Sequence, residues 1–314
     1  HANDGGGSIR IPASECGLVG LKPSRGRVSK GPDVGESWMG STIDGCVTRT
    51  VRDTAAVLDV ICGYEPGDPY VAPPFARPLT QELGVNPGKL RIGVLDHPVY
   101  SHQKNDAESR ESIKRTVDVL TALGHEVELT WPKALEEVEV SGKFTAIVGA
   151  ATHADVSAFE QLMGRTIGEG DMEPDNLLMR ELGRSISVDT YINNQMWLHA
   201  WCRRVVQWWE PLDGSRGFDI LVTPTLAGPP PRIGHLAGEN GSRHLVEILA
   251  FTSQFNLTGQ PAISLPLHWS STGLPMGVQF VAAPFREDVL VRLASQLEEA
   301  MPWRDRVAPL VANS

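Results

Sequence analysis

The chain has 314 residues, of which 41% are hydrophobic and 21% are charged. These proportions are typical of a folded globular protein, and they exclude a wholly disordered or fibrous chain. The formal net charge of −10 disfavours nucleic acid as a partner, because phosphate groups are bound by clustered Lys and Arg side chains.

The first element in chain order is a glycine-rich loop, in which Gly5, Gly6 and Gly7 stand directly before Ser8. Glycines let the backbone turn tightly against a bound group, and successive amides in such a turn can bind an anion. A serine nucleophile needs such a site, because its attack turns a carbonyl oxygen into an oxyanion. The run therefore predicts Ser8 as a nucleophile and the three glycines as its oxyanion hole. The alternative is a turn serine that caps a helix starting near Pro12.

Hydrophobic periodicity and Gly or Pro breaks predict the elements that follow. The proline-rich stretch 63–89 predicts a surface crossover, 134–212 is mostly helical in character, and 226–242 is rich in Gly and Pro and predicts a loop. The order strand, helix, strand from 90 to 129 indicates an α/β fold. The predicted strands are 17–21, 90–95, 125–129, 219–222, 262–267 and 278–281, and the predicted helices are 51–62, 109–123, 243–255 and 287–301.

The cysteines Cys16, Cys46, Cys62 and Cys202 fit no zinc-binding spacing, and the histidines are scattered, so no metal is expected. In a chain of this length, four cysteines indicate reduced and mostly buried thiols in a cytoplasmic protein rather than a disulfide scaffold. Cys16 lies in an apolar segment with no adjacent base, so a nucleophilic role is not expected. No apolar run is long enough to cross a bilayer, so no membrane partner is expected.

Five segments resemble the amidase signature family. The first, 4–24, reads DGGGSIRIPASECGLVGLKPS and carries the Gly-Gly-Ser-Ile-Arg core, a proline two residues after the arginine, then Cys-Gly and Gly-Leu-Lys-Pro. The others follow in the family's order: 44–53 (DGCVTRTVRD), 218–225 (FDILVTPT), 256–262 (NLTGQPA) and 273–280 (GLPMGVQF). Cys46 stands where a proline is commoner in the family. The resemblance covers essentially the whole chain and implies an α/β fold in which helices sandwich a mixed β-sheet.

The resemblance also implies a Ser–cis-Ser–Lys triad, in which Ser8 attacks a carboxamide and forms an acyl-enzyme, and an ion pair between Asp4 and Arg10 that braces the loop. In the family the cis-serine and the lysine base stand upstream of the nucleophile, and no position here matches them. Lys22 lies in the Gly-Leu-Lys-Pro segment, which is not the position of the catalytic lysine, so a structural role is expected. The chain 1–314 is therefore expected to be the C-terminal portion of one longer amidase domain.

Within that portion, 1–30 would carry the nucleophile loop and 134–255 a variable helical region that sets substrate selectivity. Asn3 before the Asp-Gly-Gly-Gly run resembles the branch of the family that hydrolyses cyclic or linear aminohexanoate amides. The implied partner is a small-molecule amide substrate, with no cofactor or metal, and the candidate assembly is a homodimer.

Two alternatives to an independent amidase remain. One is an amidotransferase subunit that hydrolyses glutamine and supplies ammonia to a partner subunit. The other is an inactive fragment, since two of the three catalytic residues that the family implies have no counterpart here.

Overall fold

The computed structural model describes residues 1–99, 104–237 and 240–307. Within these ranges the chain forms one eight-stranded sheet with the strand order β1-β3-β2-β7-β8-β6-β4-β5. The strands are β1 (Ala2–Asp4), β2 (Val19–Lys22), β3 (Ile43–Thr48), β4 (Arg91–Val94), β5 (Glu126–Glu128), β6 (Ile220–Pro224), β7 (Ala262–Trp269) and β8 (Pro275–Ala282). The helices are α1 (Arg10–Cys16), α2 (Val51–Ile61), α3 (Ala107–Ala122), α4 (Glu139–Met163), α5 (Pro174–Ser185), α6 (Val188–Val206), α7 (Gly241–Ile248), α8 (Gln254–Leu257) and α9 (Glu287–Ala300).

The sheet is mixed. Strand β4 pairs in parallel with β5 and β6, and the other neighbouring strands pair antiparallel. Successive side chains of a strand point to opposite faces, so both faces of this sheet need a cover. In β6, Ile220 and Val222 join a hydrophobic cluster with α2, α3 and α9, whereas Leu221 joins a second cluster with α4, α6 and α8. The predicted sandwich of helices around a mixed sheet is confirmed.

Local capping explains where two of the predicted helices begin. The Thr50 hydroxyl accepts a hydrogen bond from the Asp53 amide at the start of α2, and the Asp106 carboxylate accepts one from the Glu108 amide at the start of α3. Each satisfies an amide that the first turn of a helix leaves unpaired. These caps fix the first turns of two helices that cover the face of the sheet opposite α4.

The predicted single helix over 243–255 is wrong, because α7 ends at Ile248 and a turn separates it from α8. Thr252 lies in that turn, where its hydroxyl donates to the Gly6 carbonyl and its own carbonyl accepts from Arg10. Contacts with a loop at the other end of the chain thus override the local helical pattern. Strands β1 and β3 were not predicted, and two residues of the predicted loop 226–242, 238 and 239, lie outside the described residues.

The cysteines Cys16, Cys46, Cys62 and Cys202 are all free. The prediction that they are mostly buried is wrong: Cys46 is buried, two are half-buried and Cys16 is exposed. Helix α1 buries Arg10, Ile11, Ala13 and Ser14, so Cys16 lies on its outer side.

Candidate active site

The nucleophile candidate Ser8 lies in the short connection between the edge strand β1 and helix α1. The three glycines before it are buried, whereas Ser8 is exposed. Its hydroxyl is not used as a helix cap, because the capping position of α1 is Ile9 and no side-chain cap bond forms there. The geometry therefore disfavours the alternative in which Ser8 is a capping serine.

The loop is held by the Asp4 carboxylate from inside. Asp4 Oδ1 accepts from the Gly7 amide at 2.7 Å and Oδ2 accepts from the Ile9 amide at 3.2 Å. The Gly7 amide is therefore engaged and not free to bind an oxyanion, which corrects that part of the sequence prediction. In contrast, the amides of Gly6 and Ser8 donate to no acceptor within the described parts of the chain.

Arg10 supplies the counter-charge of Asp4. Its Nε donates to Asp4 Oδ2 and its Nη2 to Asp4 Oδ1, both at 2.9 Å, and neither side chain has exposed surface. Burial raises the pKa of Asp4, but the charge and hydrogen bonds of Arg10 outweigh it and the pKa falls to about 2. The expected ion pair is present, and the carboxylate is ionised at every physiological pH.

The remaining donors of Arg10 reach three segments from the other end of the chain. Nη1 donates to the Thr252 carbonyl at 2.9 Å and to Gln279 Oε1 at 2.8 Å, and Nη2 donates to Asn256 Oδ1 at 2.6 Å. With the two bonds to Asp4, all five donors of the guanidinium are used. Only an arginine has that fork of donors, so a lysine could not replace it.

Asn256 and Gln279 complete the network, and sequence reasoning assigned neither a role. The Asn256 amide donates to both the carboxylate and the carbonyl of Asp4 at 2.8 Å and to the Ser41 carbonyl at 3.0 Å. Gln279 donates to Thr223 Oγ1 at 2.9 Å and to the Phe251 carbonyl at 2.7 Å. The signal was present in the sequence, because these residues stand in the segments 218–225, 256–262 and 273–280 that carry the family resemblance.

Gly7 is the position in the loop where the backbone requires glycine. Its φ is +142°, a conformation that residues with a Cβ avoid. A Cβ placed there would lie 2.5 Å from Thr252 Oγ1 and 2.6 Å from Ile11 Cδ1. The Thr252 hydroxyl also donates to the Gly6 carbonyl at 2.5 Å. Thr252 therefore presses the loop from the side opposite the ion pair.

Lys22, at the end of β2, is fully buried and its ammonium donates to the Pro23 carbonyl at 2.8 Å. Burial, and next the charge of Arg10, lower its pKa to about 7. Gly20, two residues earlier and so on the same face of the strand, touches the Ile9 carbonyl and Ala13. Lys22 thus lies on the face of the sheet that carries the nucleophile loop, where a structural role remains its interpretation.

No metal site accompanies this loop: no group of three or more His, Cys, Asp or Glu side chains in the described ranges could hold a metal ion. The described helices include none that is both long and apolar enough to cross a membrane.

Comparison with known proteins agrees with this geometry. Residues 1–291 match the family model described as Amidase. A 6-aminohexanoate-cyclic-dimer hydrolase of Pseudomonas sp. (strain NK87) is 40% identical over 326 aligned residues, which cover 100% of this chain and 65% of that protein. The enzyme of that name in Paenarthrobacter ureafaciens is 39% identical with the same coverage. A solved structure of 6-aminohexanoate cyclic dimer hydrolase complexed with substrate superposes with a TM-score of 0.92 at 39% identity, covering 98% of this chain and 66% of that one.

The chain belongs to the amidase family, and it spans about two thirds of the length of the relatives above. A glutamyl-tRNA(Gln) amidotransferase of Thermodesulfovibrio yellowstonii is also similar, at 33% identity over 98% of this chain and 65% of that protein. That match is weaker than those with the two hydrolases, so the amidotransferase alternative is less well supported than the amidase interpretation.

Proposed function

We propose that the full-length protein hydrolyses a carboxamide through an acyl-enzyme formed on Ser8. The observation that carries the proposal is the exposed Ser8 hydroxyl at the end of a loop whose buried side is fixed by Asp4, Arg10 and Asn256. Such a loop presents its nucleophile in one geometry, and preorganisation of this kind is what catalysis requires of a site.

The oxyanion would be bound by the amides of Gly5, Gly6 and Ser8. Support comes from the amides of Gly6 and Ser8, which have no acceptor in the described chain and follow a carboxylate-held turn. Gly7 is left out of the proposed set, because Asp4 occupies its amide. A preorganised donor of this type lowers the barrier by about 3 kcal/mol.

The reaction would proceed in two halves. In the first, Ser8 Oγ loses its proton and bonds to the amide carbon, and collapse of the tetrahedral intermediate breaks the C–N bond while the amine leaves with a proton. In the second, water attacks the ester carbon and releases the carboxylic acid and the serine hydroxyl. A serine hydroxyl needs a base for the first step. We assign it to the family's lysine acting through the cis-serine, which no position in these 314 residues matches.

For the substrate we propose an aliphatic, non-peptide amide of the kind named in two relatives, the cyclic dimer of 6-aminohexanoate. The identities of 40% and 39% over the whole chain support this choice. The selectivity region proposed for this substrate is 134–255, which packs α4, α6 and α7 on the side of the sheet where Leu249 approaches Gly6.

The test is turnover by the full-length protein, followed as release of primary amine from that cyclic dimer. Ser8→Ala is expected to abolish release while the circular dichroism spectrum and the melting temperature stay unchanged. Turnover retained by Ser8→Ala contradicts the assignment of the nucleophile. Glutamine hydrolysis that appears only with added partner subunits would favour the amidotransferase alternative.

We also infer a cytoplasmic location, supported by four free cysteines, which persist in reducing compartments. A homodimer is proposed as the assembly, supported by apolar side chains exposed on α4 and α5, such as Leu162 and Leu178. Light scattering of the full-length protein measures that assembly directly.

A further inference from the structure

A narrow apolar groove lies next to the nucleophile loop. Its walls come from α4 on one side and from α7, the turn after it and α8 on the other. The lining side chains that matter here are Val140, Phe144, Val246, Leu249, Gln254 and Leu257. The cavity has a volume of about 60 Å³, roughly that of two water molecules in the liquid. It is therefore wide enough for a single chain of methylene groups and too small for a ring or a branched group.

Two contacts join the groove to the proposed oxyanion site. Leu249 Cδ2 lies 3.3 Å from the position that a Cβ on Gly6 would take. At the other wall, the ring of Phe144 meets that of Trp38 edge to face at 6.4 Å between centroids, and Trp38 lies 2.7 Å from the Cβ position of Gly5. A carbonyl bound at these glycines would thus have the mouth of the groove beside it.

One polar side chain in the groove has an unused acceptor. Gln254 is 2% exposed, and its Nε2 donates to the Ala250 carbonyl at 2.7 Å, which fixes which end of the amide is oxygen. The Oε1 atom is buried and accepts no hydrogen bond from any described residue. A buried acceptor without a partner is destabilising, and a ligand N–H that reached it as the groove widens would remove that penalty.

Resting on the proposed function, we propose that this groove binds the acyl part of the substrate and selects an unbranched alkyl chain that carries an N–H donor for Gln254 Oε1. Leu249 and Phe144 limit the width of the chain, because they form the walls next to Gly6 and Gly5. Gln254 sets the chemistry beyond the alkyl segment, because it is the polar side chain there with an unpaired oxygen. A plain alkyl chain, or one whose nitrogen is methylated, would leave that oxygen unpaired.

The experiment compares kcat/KM of the full-length protein for four primary carboxamides. They are hexanamide, 6-acetamidohexanamide, its N-methyl derivative, in which the acetamide N–H is replaced, and 4-methylhexanamide. The wild type should favour 6-acetamidohexanamide over the N-methyl derivative by about tenfold, the size expected for one buried hydrogen bond. Ratios between substrates within one protein are unaffected by the fraction of it that is folded.

Gln254→Met keeps the length and removes the acceptor, so the preference for the N–H donor should fall to about one. Leu249→Ala should raise the ratio of 4-methylhexanamide to hexanamide about tenfold. The matched control is Leu245→Ala, since Leu245 is exposed on α7 and outside the groove, and it should change neither ratio. Unchanged ratios in active Gln254→Met and Leu249→Ala proteins overturn this inference and leave the proposed function standing. A wild type that hydrolyses none of the four contradicts the proposed function and this inference together.

Discussion

Arg10 and Asp4 form a doubly hydrogen-bonded ion pair with no exposed surface directly beneath Ser8. The pair does more than neutralise two charges. Asp4 fixes two loop amides, and Arg10 joins the loop to three segments near the other end of the chain. Since a buried ion pair is weak evidence of stabilisation in itself, its consequence here is positional.

Removal of one charge should expose that role. Asp4→Asn leaves Arg10 buried without a counter-charge, and it should lower the free energy of unfolding by about 3–5 kcal/mol. Asp44→Asn is the matched control, because Asp44 pairs with Lys30 at a partly exposed site, where the loss should stay below about 1 kcal/mol. Urea unfolding of both full-length variants measures the difference. Equal losses would show that the buried pair has no special weight.

Gly7→Ala should disrupt the loop by contact as well as by strain. The left-handed conformation by itself costs a residue with a Cβ about 1–3 kcal/mol, and the Cβ would also press on Thr252 and Ile11. Gly63→Ala is the control, since Gly63 has φ +159° but nothing within 4 Å of its Cβ position. We expect Gly7→Ala to lose more stability than Gly63→Ala by about 1–3 kcal/mol and to lose hydrolytic activity, as measured by denaturant unfolding and by amine release. A Gly7→Ala protein as active as the wild type would show that the loop is not tightly held.

Lys22 should make stability depend on pH. Its pKa is about 7 in the folded protein, against an ordinary value near 10.4 in the unfolded chain. Between these values the unfolded chain binds the extra proton, so stability rises as the pH increases from about 7 towards 10, by up to about 1.4 kcal/mol per pH unit. Lys22→Met should lose this slope, and unfolding free energies at pH 7.5 and 9 measure it. Parallel slopes in both proteins would contradict the buried, weakly compensated lysine.

The contact between α4 and α5 gives a prediction away from the site. A Cβ on Gly183 would lie 1.9 Å from the Gly149 carbonyl oxygen, so Gly183→Ala must push the two helices apart and should cost several kcal/mol, about 2–4. Gly142→Ala is the control: Gly142 is within α4 with nothing near its Cβ position, and alanine there should stabilise by about 0.5–1 kcal/mol. Thermal unfolding distinguishes them, and a neutral Gly183→Ala would mean that this helix contact is loose.

Much of this architecture follows from local sequence. Strands β6 to β8 and helices α2, α3 and α9 each carry their own period and breaks, so the sequence placed them to within a few residues. The Ser8 loop and the Asp4–Arg10 pair were also visible, because six residues separate the two side chains.

What the sequence could not supply is the set of atoms that meet at long range. The bonds from Arg10 to Thr252 and Gln279 span 242 and 269 residues, and no local pattern encodes such a pairing. The same contacts broke the predicted helix over 243–255, since Thr252 serves the loop rather than a helix. The engagement of the Gly7 amide by Asp4 was missed for a related reason: a glycine run predicts a turn but not which amide faces inward.

The most direct test of the account is to label the full-length protein with an alkyl fluorophosphonate. The reagent bonds its phosphorus to an activated serine oxygen and releases fluoride, and intact-protein and peptide mass spectrometry then locate the adduct. The account predicts one adduct per chain, on the peptide that contains Ser8, and none in Ser8→Ala. An adduct on another residue, or equal labelling of Ser8→Ala, would contradict Ser8 as the nucleophile, and no labelling at all would favour the inactive alternative.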